Sequence, residues 1–265
     1  MTPRSCDMCG RSASEVRLSR EHVLPQSLRD TVEESRDHTY TEGTGPQIAS
    51  LTYDEDSRPT SLMDVAVRTV CTECNNGWMS ALEVCANPIL RRLIDGADLL
   101  TADEVDTVRL WAAKTAAVIE MAARGQDAPP VAEADRAAIR RGEVPDAWVI
   151  TVTRLDPSWR HHVHRGYVPI PLRRVVDGNE TVERYHFTTI EIGQMLLTVT
   201  GGPPDSDVSH DLCLLAVQHL WRVVPAFVPI FPGEPVELLT WHLPSTETLK
   251  ELGRRFARML LQEDG

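Results

Sequence analysis

The chain of 265 residues is 42% apolar, enough for one large domain or two modest ones around a packed core. Its formal charge of −12 excludes a protein that coats nucleic acid by bulk electrostatics: backbone binding needs Lys and Arg to replace counterions, so any nucleic-acid site must be local. The opening MTPRSCDMCG has no basic segment followed by an apolar run, and LWAAKTAAVIEMAA is interrupted by Lys114 and Glu120; neither secretion nor a membrane span is expected, which points to the cytoplasm.

In chain order, the first feature is a CxxC at Cys6 and Cys9, followed by a short strand, Val16 to Leu18, running into SREHVLPQSL. Residues 30–60 are polar and acidic, broken by Gly43, Gly45 and Pro46, and read as a long mobile excursion. MDVAVRTV alternates as a half-buried strand does and leads into a second CxxC at Cys71 and Cys74. In SALEVCANPILRRLIDG, Leu82, Cys85, Ile89 and Leu93 fall at helical spacing, with Pro88 threatening a kink or break. Thr101 and Glu104 form a capping box that opens a long helix, apolar on most sides, expected to end at Gly125. A charged, proline-flanked connector follows from Gln126 to Pro145.

Beyond it, AWVITVTRL, HVHRGYVPIPL, ERYHFTTIEI, MLLTVT and WRVVPAFVPIF are rich in β-branched and aromatic residues and separated by turn signals such as Gly201-Gly202-Pro203-Pro204, so this half is expected to be an antiparallel sheet. A final helix is expected from Ser245, with Leu249, Leu252, Phe256 and Met259 on one face and Arg254, Arg255 and Arg258 on the other. The fold class is therefore α+β, with three parts: residues 1–98, a helical segment and connector over 99–145, and a β-rich part with a terminal helix over 146–265.

In a chain without a secretion signal, two CxxC pairs read as a tetrahedral zinc site rather than as disulfides, with Cys6, Cys9, Cys71 and Cys74 as ligands. Closing that clip brings Glu21 and His22 near Asn75 and Asn76. A carboxylate, an imidazole and a carboxamide together suit a hard divalent cation, magnesium or manganese, plus a general base. Glu21 and Asn75 can supply oxygen ligands, and His22 can deprotonate a water aligned on a phosphorus.

With CDMC, EHVLP and CTECNN in this order over roughly the first ninety residues, the sequence resembles the HNH endonuclease family. The resemblance implies a zinc-stapled ββα-metal core, a hairpin followed by a helix, in residues 1–98. It gives His22 the role of general base, and Glu21 and Asn75 the role of ligands to a catalytic metal. The family often carries an asparagine just before the second CxxC that orients the base; VAVRTV has none, so either another group, Asn76 being the candidate, orients His22, or the base is poorly positioned. The implied function is metal-dependent hydrolysis of phosphodiester bonds in DNA; the alternative is an inactive zinc-stabilised module that binds nucleic acid or protein.

Other residues have more ordinary readings. Asn75 can cap the following helix, and Trp78 can pack over the zinc knuckle. The run His161, His162 and His164 lacks carboxylate or thiol companions and reads as a polar strand edge. Arg91 and Arg92, on the helix beside the proposed site, are candidates for contact with nucleic acid. Lys114 is expected to snorkel from a buried helix, and Cys85 and Cys213 to be small core residues.

Overall fold

A computed structural model describes residues 5–31, 38–44, 52–58, 62–122, 131–159, 162–176, 179–206, 208–223 and 227–241. The fold is mixed α+β with antiparallel sheets and a four-cysteine cluster. Strand β1 (Leu18–His22) is followed by β2 (His38–Thr44), β3 (Thr52–Arg58) and β4 (Ala66–Cys71). A single turn α1 (Thr72–Cys74) and a wide π turn over Asn75–Met79 lead into α2 (Ser80–Ile94). Then come β5 (Leu99–Leu100), α3 (Ala102–Ala122) and α4 (Glu133–Arg141). Strands β6 (Val149–Leu155), β7 (Val163–Val176), β8 (Asn179–Ile192) and β9 (Met195–Gly201) precede α5 (Ser209–Val223) and the short β10 (Val228–Pro229), β11 (Val236–Glu237) and β12 (Thr240–Trp241).

Four expectations change. The first strand lies two residues later than Val16, because Leu18 to His22 are the residues that pair with β4. The polar excursion contains an antiparallel hairpin, β2 with β3, whose alternating Thr and Tyr residues suit a strand despite the acidic composition. The connector over 126–145 contains α4, led by Glu133 and Asp135 and finished by Arg140 and Arg141, an order that complements the helix dipole. Trp221, Arg222 and Val223, read as the start of a strand, close α5 instead; a strand reappears only at Val228. The end of the long helix at Gly125, His161 and the helix from Ser245 lie outside the described residues.

Pro88 does not break α2. The missing hydrogen bond and ring clash cost about 3 kcal/mol. Against this, Ile89, Leu90, Leu93 and Ile94 are buried in the core cluster shared with α3, and each contributes about 1.5–3 kcal/mol. Burial therefore wins, and Pro88 itself sits on the exposed side. Helix α3 begins with half of the expected capping box, the Thr101 N–H donating to Glu104 Oε2 at 3.0 Å. Every residue from Trp111 to Met121 is buried, as befits a helix packed on all sides.

The large sheet has the order β10-β6-β9-β8-β7, with β12 added parallel to β6. Its two faces follow the strand alternation. Ile150, Val152, Ile190, Leu197 and Val199 join the cluster that includes α3, α2 and the cysteine region, whereas Val149, Phe187 and Leu196 join Cys213 and Val217 of α5. No helix among the described residues is long and apolar enough to cross a membrane.

Candidate metal centre and adjacent polar site

The first knuckle is a tight turn. Gly10 N–H donates to Cys6 O at 2.8 Å and Cys6 N–H donates to Arg11 O at 2.8 Å. Gly10 closes the turn at φ +74, in the left-handed region a side chain disfavours. The knuckle is fastened to β4 by Asp7 N–H donating to Thr69 O at 2.8 Å and by Cys71 N–H donating to Cys6 Sγ at 3.2 Å. The second knuckle is where β4 ends, with Cys71 its last residue and Cys74 one helical turn on.

All four Sγ atoms lie within 4.8 Å of one another, and the group can hold a metal ion such as zinc. Cys9 Sγ and Cys71 Sγ are 3.8 Å apart. A tetrahedron with Zn–S near 2.3 Å has edges of about 3.75 Å. None of the four is in a disulfide, and all but Cys9 are buried. The Cys6 thiol is held down to about 4, chiefly by a hydrogen bond from Cys74, whose own thiol is pushed up in return. Four crowded thiols cannot all ionise without a cation to balance them. Arg11 supplies one outer positive charge: its Nη2 sits 3.8 Å from Cys71 Sγ, and Cys9 and Cys71 hold the guanidinium above its usual range.

The clip sets the neighbouring polar residues. In the β1–β4 register Leu18 faces Cys71, Glu21 faces Val67 and His22 faces Ala66, with an irregularity between Ser19 and Glu21. Asn75 follows Cys74 directly, and its Nδ2 donates to Arg20 O at 2.9 Å and to Ser19 Oγ at 3.1 Å. Its amide is thus fixed beside the strand residue that precedes Glu21, and Oδ1 remains as its acceptor atom. Gly77, at φ −92 and ψ −112, kinks the chain before α2, so the residues after the clip turn away from the axis they began on.

His22 is half-buried, and burial, then Arg20, lowers its pKa below the ordinary 6.5. The imidazole is neutral at neutral pH, the form a general base needs. Glu21 is buried, and burial raises its pKa while Lys114 opposes the rise. Asn76 is exposed, and among the described residues it makes no hydrogen bond to His22.

Lys114 does not snorkel. It is 0% exposed; its Nζ lies 2.6 Å from Glu83 Oε1 on α2 and 3.6 Å from Glu21 Oε1 on β1. Neither the pairing nor Glu83 emerges from the motif pattern. The available signal is a lysine inside LWAAKTAAVIEM: a charge with apolar residues all round needs a buried partner.

Arg91 is tied to Asp30 at 2.7 Å and Arg92 to Glu104 at 2.9 Å. Trp78 is half-buried against the core beside the second knuckle. His162 is exposed, whereas His164 is buried on β7 opposite Glu191 of β8. Cys213 is a core residue, but Cys85 is exposed. No family model, curated protein or solved structure matches the chain.

Proposed function

We propose that the chain is a metal-dependent endonuclease of the HNH type, acting on DNA phosphodiester bonds, with a structural zinc on Cys6, Cys9, Cys71 and Cys74. The observation that carries this reading is the tether between Asn75 and Arg20, 2.9 Å long, which joins the end of the cysteine clip to the Glu21-His22 step. In this reading a Glu21 carboxylate oxygen and Asn75 Oδ1, donor types that suit a hard cation, would hold magnesium or manganese together with water and phosphate. When bound, that cation neutralises charge on the scissile phosphate. His22, neutral and reachable from solvent, takes the proton from the attacking water. Glu21 and Asn75 orient, and Asn75 also pins β1 to the turn before α2.

A supercoiled-plasmid nicking assay with magnesium or manganese tests this. His22→Ala is expected to lower the nicking rate by about 10²–10⁴-fold, the usual weight of a general base. Equal cutting by both proteins, or none by either, removes the assignment.

One observation favours a second reading, a zinc-stabilised binding module without cleavage: the Glu21 carboxylate already has an ammonium near it in Lys114. Nucleic-acid binding without nicking, unaffected by His22→Ala, would select it.

A further inference from the structure

Helix α3 belongs to neither CxxC half, yet it delivers a fully buried ammonium to Glu21 of the proposed site and to Glu83 of α2. We propose that Glu83 is a positioning residue for the site: as the counter-ion of Lys114 it keeps that ammonium from capturing Glu21, and so sets how tightly the site takes a divalent cation. This rests on the reading of Glu21 as a cation ligand.

The two contacts are unequal. Glu83 accepts a short, charge-assisted bond of 2.6 Å, whereas the 3.6 Å approach to Glu21 lies just beyond hydrogen-bond length. The ammonium thus commits itself to Glu83 and acts on Glu21 chiefly through its charge. The Glu21 oxygens stay available to a cation. Two carboxylates and one ammonium leave one negative charge over, which suits a cation that must also accept an anionic phosphate. If Glu83 lost its charge, the ammonium would turn wholly to Glu21, because a buried charge left unpaired is costly. Glu21 would then be a salt-bridge partner first and a ligand second. An ion pair that served only to fasten α3 to α2 would behave differently: Glu83→Gln would lower stability and the double variant would restore it, while the affinity for the cation stayed at the parent's value in both.

The test is Mn²⁺ binding to the full chain, zinc-loaded, followed by electron paramagnetic resonance. Glu83→Gln is expected to weaken binding at least about tenfold, the size of effect that one redirected charge produces at this range. Lys114→Met/Glu83→Gln, which removes the competing ammonium along with its partner, is expected to return the affinity to within about threefold of the parent. Unchanged binding in Glu83→Gln overturns the inference, as does a double variant that binds no better than Glu83→Gln. If the parent's Mn²⁺ binding is absent, or survives Glu21→Ala, the assignment of Glu21 as a ligand falls and this inference falls with it. A parent site that needs Glu21 but ignores Glu83 overturns the inference alone.

Discussion

The side-chain amide of Asn75 donates to the backbone carbonyl of Arg20, and this one bond connects the residue after the second CxxC to the strand that carries Glu21 and His22. It occupies Nδ2 as a donor and leaves Oδ1 as the atom the proposed cation would use. Asn75→Asp keeps the Oδ1 oxygen but replaces the donor with a second acceptor facing Arg20 O. It is expected to destabilise the fold by about 0.5–1.5 kcal/mol, the net worth of a hydrogen bond within reach of water, as read by chemical denaturation. Asn75→Ala should lose the tether as well as nicking.

Metal content provides a second prediction. Purified protein is expected to carry about one tightly held zinc per chain, as a four-thiolate site does. Cys71→Ser, which removes one of the four thiolate ligands, should lose that zinc and the cooperative thermal transition. Mass spectrometry under native conditions reads the first and calorimetry the second.

Arg11 offers a gentler change. Its guanidinium stands outside the cluster near Cys71, and removing it leaves all four ligands in place. Arg11→Gln is expected to weaken zinc retention about 10–100-fold against a competing chelator, the typical weight of an outer-shell partner, with little change in secondary structure.

The large sheet predicts a pH effect of its own. Glu191 is 0% exposed, neither carboxylate oxygen has a hydrogen-bond partner among the described residues, and burial raises its pKa to about 8. The folded protein keeps this carboxyl protonated where the unfolded chain ionises it. From Glu191 alone, stability is full below about pH 4.5 and falls as pH rises toward 8, by on the order of 1.4 kcal/mol per unit. His186 acts in the opposite sense. Burial lowers its pKa to about 3, so its contribution is present above 6.5 and lost as pH falls. Glu191→Gln is expected to raise the melting temperature at pH 8 and leave it nearly unchanged at pH 4.5. An equal shift at both pH values would sink the assignment.

Local signals reached much of this structure. The CxxC spacing anticipated the cluster, the alternation in VAVRTV anticipated β4, and Thr101 with Glu104 anticipated the start of α3. The misses came where tertiary packing decides. β-branched and aromatic residues around Trp221 look strand-like, but Cys213 and Val217 of the same segment find a helical seat against the sheet. Cys85 lies at apolar spacing yet faces solvent, because α2 buries the stripe through Ala86, Leu90 and Leu93 instead. Glu83 and Lys114 are 31 residues apart, and no local pattern joins them.

Helix α3 carries Lys114 toward Glu21 and Glu83, while Glu120, six positions on, lies 3.1 Å from His186 of β8. Those positions are about 9 Å apart along the axis and a third of a turn apart around it, so one rod faces both ways. For anyone cutting the gene, this means that the cysteine-bearing segment is not a cassette. A fragment ending at residue 98 would strip the ammonium from two carboxylates and bare the apolar side of α2, leaving its chemistry without the scaffold that α3 provides.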